Sequence, residues 1–261
     1  MMAAMGPVLC LHGFTGTPFD VEALARALEA RGHLVATPTL PGHGGTVEDL
    51  AATDADEWLS AADAALTRLA DTSGTRVAIA GASMGALLAL RLARRRPDTV
   101  AALILMAAPL RWRRIDRVRV EVLSRLAAML GIRGAAIPKT GGVDIADAAV
   151  RALAPSLNAF PLAGLHHLIA LADAAAADVP FITAPALIVH GRLDRTVPLD
   201  VSENLASKIG SPIVERLWLD ESGHLVAVDR DRNVVAESVS TFLAQHAVWA
   251  RAADGGALSL G

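Results

Sequence analysis

The chain predicts an α/β fold in one domain, with a mostly parallel central sheet flanked by helices and a helical insertion. Three observations predict it. Apolar runs of strand length recur along the 261 residues, helix-like segments alternate with them, and one long interruption falls between Leu110 and Pro180. Strands alternating with helices imply βαβ units and a parallel sheet. Runs that are apolar throughout, not at every second residue, are the pattern of strands buried on both faces.

In chain order, the expected strands are Val8–Leu11, Leu34–Thr37, Val77–Ala80, Ala101–Met106, Ala186–His190 and Val214–Leu219. The expected helices between and after them are Phe19–Arg31, Asp54–Ala70, Met84–Arg95, Leu199–Ile209 and Asn233–Gln245. Residues 1–109 and 181–249 form the expected core, and 110–180 an insertion that reads as helical throughout, without a strand of its own. Residues 250–261 are expected to be a flexible tail.

Composition narrows the function. The apolar content of 53% comes mainly from alanine, and no apolar run approaches the ~18–20 residues that span a bilayer. The longest, around Val100 to Leu110, is strand-sized, so no stable membrane insertion is expected. The opening MMAAMGPVLCLHG carries no basic leader segment. A net charge of −3 leaves no nucleic-acid footprint. Cationic residues are almost all arginine, with Lys139 and Lys208 as the lysines. Cys10 is the single cysteine, so a reducing, cytoplasmic setting is expected. Within the apolar run VLCL it reads as an inert buried thiol. No metal and no cofactor are expected, because no His/Asp/Glu cluster has metal-ligand spacing.

The chemistry-bearing stretch is GASMG, Gly81–Gly85, where a buried strand turns into a helix. A G-x-S-x-G sequence at that junction is a nucleophile elbow: a tight turn projects the serine hydroxyl above the sheet, and flanking glycines remove the side chains that would collide. The competing use of Ser83 is a plain helix cap. Catalysis by serine needs a base and an orienting carboxylate, in the chain order serine, acid, histidine. Of the later histidines, His190 lies inside a strand, His246 ends a helix, and His166 and His167 fall in the insertion. His224, in the loop SGH after the last strand, is the expected base. Asp194, after the strand ALIVHG, is the expected acid, with Asp220 and Glu221 as runners-up and Asp200 as a first-turn helix charge. The loop LHGFTG leaving the first strand should pass the elbow, so the N–H groups of Phe14 and Met84 are the expected oxyanion donors. His12 and His43 read as loop-ordering residues.

HGFTG, GASMG, GRLDRTVP and SGH, in that order, resemble the α/β-hydrolase superfamily, and within it bacterial carboxylesterases and monoacylglycerol lipases with a small helical cap. The resemblance implies an α/β-hydrolase fold and Ser83, Asp194 and His224 as the triad, with Phe14 and Met84 as oxyanion donors. It further implies a small-molecule ester substrate carrying a short- to medium-chain acyl group. A monoacylglycerol lipase, a thioesterase and a non-catalytic binding protein on the same fold are the alternatives. The first strand begins so early that the superfamily's N-terminal hairpin is expected to be reduced. Within the insertion, Trp112, Ile115, Val118, Val122, Leu126, Met129 and Leu130 recur at helical spacing. This stripe is expected to pack over the site, with Trp112, Leu126 and Met129 lining a pocket. Arg111, Arg113, Arg114, Arg117 and Arg119 make the opposite, solvated face.

Overall fold

The computed structural model describes residues 5–132 and 134–250, so all but one residue of the expected tail at 250–261 lies outside the described residues. Among the described residues the central sheet has six strands in the order β2-β1-β3-β4-β7-β8. They are β1 (Val8–Leu11), β2 (Val35–Ala36), β3 (Val77–Ala82), β4 (Val100–Met106), β7 (Ala186–Gly191) and β8 (Val214–Leu219), and every pairing is parallel. The sheet is therefore wholly parallel, with no antiparallel N-terminal hairpin among the described residues.

Alternate residues of each strand serve opposite faces, as the period of two demands. Leu9, Leu11, Ile79, Leu103, Leu105 and Ile188 pack with helices α3 (Ala55–Ser73), α4 (Met84–Arg95) and α7 (Leu162–Asp178). Val8, Cys10, Ala78, Ala80, Ile104 and Val189 pack with α1 (Phe19–Glu29) and α9 (Arg232–His246) on the other side. Register then sets where loops emerge. Leu11 pairs with Gly81, and Ala82 with Met106, so the loops after β1, β3 and β4 leave one edge of the sheet together. His190 pairs with Trp218 and Gly191 with Leu219, which puts the loops after β7 and β8 side by side.

Between β4 and β7 run α5 (Arg114–Met129), β5 (Ala136–Pro138), α6 (Ala148–Leu153), β6 (Ala159–Pro161) and α7. The expectation of a strandless insertion is corrected here, because β5 and β6 pair antiparallel, Ile137 opposite Phe160. Each is three residues long and ends in proline, so neither produces a periodic apolar run. One further element escaped sequence reading, α2 (Val47–Ala51), a single turn started by a Thr46/Asp49 capping box, whereas α8 (Leu199–Lys208) begins where expected. Leu162–Phe181 is by length and composition apolar enough to cross a membrane, contrary to the expectation that no such run exists. Half of it is buried inside the protein, and Leu165, Leu168, Ile169, Ala172 and Ala175 belong to the main core, so it serves as a packing helix.

Candidate active site

Ser83 sits at φ +54° and ψ −116° between β3 and α4. A side chain adopts that region only under strain, which the surroundings must impose. They do so through the Ser83 N–H, which donates to the Met106 carbonyl at 2.9 Å. The flanking glycines are sterically required: a Cβ on Gly81 would lie 2.2 Å from the Gly85 carbonyl oxygen, and one on Gly85 2.2 Å from that of Leu11. Helix capping is not what this serine does, since its side chain makes no cap hydrogen bond. Met84 opens the helix, fully buried, in the turn whose N–H groups have no intrahelical partner.

The loop after β1 runs beside the elbow, and a Cβ on Gly13 would lie 3.3 Å from Ser83 Cβ. Two side chains order this loop. The buried Asp20 carboxylate, from the first turn of α1, accepts the Gly13 N–H at 3.1 Å. His12 Nε2 accepts the Leu40 N–H at 3.1 Å, so Nδ1 carries its proton and donates to the Gly13 carbonyl at 3.0 Å. Burial pushes His12 down to about 4, helped by neighbouring His43, and it stays neutral. Burial pushes Asp20 up to about 7, against the Gly13 N–H and the charges of His224 and Lys139. The Phe14 ring stacks on Phe160 at 6.4 Å and meets Trp58 at 5.7 Å.

Asp194 occupies the turn after β7. Its Oδ1 accepts the N–H groups of Thr196 and Val197 at 2.7 and 2.8 Å, and its Oδ2 lies 2.8 Å from His224 Nδ1. A carboxylate only accepts, so Nδ1 is the protonated nitrogen of His224. Burial alone would lower the His224 pKa, but the Asp194 charge and hydrogen bond, with Asp144 and Asp20 beyond, outweigh it and hold it above the ordinary histidine value. Burial would likewise raise Asp194, yet the His224 charge and hydrogen bond, the Val197 N–H and His190 keep it below the usual carboxylate range. The structure therefore brings Asp194 and His224 together.

It places the alternatives elsewhere. Asp220 is exposed and paired with Arg192 at 2.8 Å, and Asp200 is paired with Arg111. His190 is fully buried between Ser202 Oγ at 2.7 Å and the Val197 carbonyl at 3.0 Å, a satisfied core histidine. His246 pairs with Glu215 and His166 lies beside Glu121.

Sequence reasoning missed three supporting residues. Asp144, from the inserted segment, links the two loops that hold Asp194 and His224: its carboxylate accepts from the Arg195 N–H at 2.8 Å and the Thr196 hydroxyl at 3.0 Å. Its carbonyl accepts the His224 N–H at 3.0 Å. Nothing in the sequence marks it, because the contact joins segments far apart in the chain. Asp20 looks like an ordinary first-turn helix acid. Lys139, discussed below, did carry a signal as one of two lysines in an arginine-rich chain.

The inserted segment also requires a correction. Leu126 and Met129 do not pack inward: they are 49% and 85% exposed, with Ile115, Val118 and Val122 on the same outward face. The inward residue of α5 is Val120, which is buried, and Trp112, two residues before the helix, is half-buried against the main core. Apolar spacing gave the right stripe and the wrong side; the side turned to the protein carries the small residues Ser124 and Ala127. Those two, with Glu48, Ile132 and Leu162, line a cavity of about 460 Å³ whose walls include none of Ser83, Asp194 or His224. Nor is the opposite face freely basic, since Arg111, Arg117 and Arg119 pair with Asp200, Asp173 and Asp116.

A parallel sheet, a strained serine at the β3–α4 turn and an aspartate–histidine pair on the neighbouring loops define an α/β hydrolase. The profile of the family described as serine aminopeptidase, S33 matches residues 3–231, and the chain belongs to that family. It is 31% identical over 250 residues to the thermostable monoacylglycerol lipase of Bacillus sp. (strain H-257), covering 94% of both chains. It is 26% identical over 239 residues to the carboxylesterase of Bacillus subtilis (strain 168), covering 90% of this chain and 91% of that one. Among solved structures, one from a study of LipS and LipT, two metagenome-derived lipolytic enzymes, superposes with a TM-score of 0.84 at 31% identity, over 94% of this chain and 95% of that one.

Proposed function

We propose that this chain hydrolyses carboxylic esters of short- to medium-chain acyl groups, monoacylglycerols among them, through an acyl-enzyme on Ser83. The observation that carries the reading is Ser83 itself, a non-glycine residue held at φ +54° with its hydroxyl not used as a cap. In the reaction, Ser83 Oγ attacks the carbonyl carbon while His224 takes its proton on Nε2, the ring nitrogen opposite the Asp194 hydrogen bond. Asp194 fixes that tautomer and stabilises the imidazolium. The N–H groups of Phe14 and Met84 hold the oxyanion. The tetrahedral intermediate collapses, the alcohol departs with the proton from His224, and water repeats the cycle on the acyl-enzyme.

The two relatives that span nearly the whole chain are named for ester substrates, which supports esters over the peptides in the family's description. We assign residues 110–180 the role of a cap over the acyl group, with Trp112 as a pocket residue; its buried indole N–H has no partner among the described residues. Each methylene buried beneath such a cap contributes about 0.8 kcal/mol, so catalysis should improve with acyl length until the pocket is full and then fall. The test is kcat/KM across p-nitrophenyl esters from acetate to palmitate, with an aminoacyl p-nitroanilide alongside. A maximum below the longest esters and negligible anilide cleavage are expected. A maximum at palmitate, or anilide cleavage comparable to ester cleavage, would overturn the assignment.

A further inference from the structure

One half-buried lysine joins the inserted segment to the loop that carries Phe14. Lys139 follows β5, and its N–H donates to the Asn158 carbonyl at 2.8 Å, which seats it on the β5–β6 hairpin. Its Nζ donates to Thr15 Oγ1 at 2.5 Å and to Ser156 Oγ at 2.6 Å, and lies 4.9 Å from the centre of the Phe160 ring. A lysine ammonium loses hydration when buried and needs such acceptors in return.

Its partner Thr15 is itself unusual. It is buried, it directly follows Phe14, and its φ is +64°, a left-handed value that a β-branched residue keeps only where its surroundings over-determine it. The inserted segment supplies that constraint. The Thr15 carbonyl accepts the Leu157 N–H at 3.1 Å and the Ser156 hydroxyl at 3.2 Å. The Thr15 hydroxyl receives Lys139 and passes its own proton to the Phe14 carbonyl at 2.5 Å. On the other side of Phe14, Asp20 holds the Gly13 N–H at 3.1 Å. The peptide unit bearing the Phe14 N–H thus lies between two held neighbours, one fixed from the core by Asp20 and the other from the inserted segment by Lys139 through Thr15.

We propose that Lys139 is a positioning residue for the reaction, pinning Thr15 so that the Phe14 N–H points at the oxyanion only while the inserted segment is seated. This rests on the reading of Phe14 as an oxyanion donor. It also accounts for a lysine here: a compact ammonium with three donors fits between two hydroxyls, where a planar guanidinium fork does not match as well. Burial pushes Lys139 down to about 8, against the attraction of Asp20. The groups facing it are the Asp20 carboxylate, the hydroxyls of Thr15 and Ser156 and the face of Phe160; His12 and His43 nearby stay neutral because burial lowers both. Loss of the Lys139 proton weakens the grip on Thr15, so turnover should decline above about pH 8. The acid side of the profile belongs to His224 and Asp20.

The test compares Lys139→Met and Lys139→Arg by kcat, KM and pH profile on p-nitrophenyl butyrate, with thermal melting as a check on folding. One oxyanion donor is worth about 10²–10³ in turnover, so its misplacement in Lys139→Met should lower kcat roughly 10–100-fold with KM nearly unchanged. Lys139→Arg keeps the charge and should recover most of kcat while abolishing the alkaline decline. If Lys139→Met does not fold, Ser156→Ala decides: it removes one acceptor of the ammonium, and should lower kcat and move the alkaline decline to lower pH. A folded Lys139→Met with wild-type kcat and alkaline decline would overturn the proposal, as would a Ser156→Ala profile identical to wild type. Labelling of the wild type by a fluorophosphonate separates the two readings. No adduct on Ser83 sinks the proposed reaction, whereas an adduct together with unchanged variants sinks only the role of Lys139.

Discussion

Helix α4, against the sheet, buries Met84 through Leu90 without a break, whereas α5, in the inserted segment, buries Val120 and turns Ile115, Val118, Val122, Leu126 and Met129 to solvent. The two helices have similar apolar content but meet different partners. Helix α4 lies between β1, β3 and β4 on one side and α3 and α7 on the other, so nearly every side chain meets protein. Helix α5 leans chiefly on α7, and one face suffices. The core therefore holds Ser83 in a strained and fully determined position, while the inserted segment touches the loops around it through a few polar contacts made by Lys139, Asp144, Ser156 and Leu157. Changes in the core should be severe, and changes in the insertion graded by whether they touch one of those contacts.

The severest test of that contrast is Ser83→Ala. Removing a serine nucleophile costs about 10⁶ in turnover, and the variant should melt no lower than the wild type, since alanine keeps the same Cβ at the same φ and no cap bond is lost. Ester hydrolysis within tenfold of wild type would break the core assignment.

Next comes Asp194→Asn, which leaves His224 without its tautomer partner; about 10⁴ in kcat is the loss such a change produces in a triad. Asp220→Asn, on an exposed pair with Arg192, should be close to neutral. The reverse ranking would move the acid to Asp220.

A smaller effect is expected at Asp144, where the insertion touches the core loops. His224 must be neutral to accept a proton, and its pKa is held above the ordinary value, so kcat/KM should fall as pH drops through that raised pKa. Asp144 contributes to the raising. Asp144→Asn should thus shift the acid side of the profile to lower pH, with kcat reduced about tenfold or less. An unmoved acid side would mean that the contact is structural only. The smallest effect belongs to Leu126→Ala and Met129→Ala, both on the solvent face. With a water-soluble short-chain ester, kcat/KM should stay within about twofold; a larger loss would put that face in contact with substrate after all.

The same contrast explains what the sequence made legible. The strands β1, β3, β4 and β7 run over the residues expected or within two at each end, because burial on both faces forces a continuous apolar run; the edge strand β8 also matches, although Glu215 and Arg216 leave it partly exposed. The elbow was readable because GASMG is a local solution to a local steric problem. In the insertion, Leu126 and Met129 repeat at helical spacing and yet face outward, since spacing reports that a stripe exists and not what covers it. The hairpin of Ala136–Pro138 with Ala159–Pro161 is too short to leave a period. Lys139 and Asp144 act across long sequence separations, and only the folded chain brings them to the site; Asp20 acts on Gly13, seven residues away, but looks like any first-turn helix acid.

The measurement that bears most directly on Ser83 as the nucleophile is stoichiometric labelling with a fluorophosphonate, followed by peptide mapping of the adduct. One adduct per chain on the peptide containing Gly81–Gly85, carried by Ser83 and formed far more slowly in His224→Ala, is the result expected. An adduct on any other residue, or labelling as fast in His224→Ala as in the wild type, would contradict it.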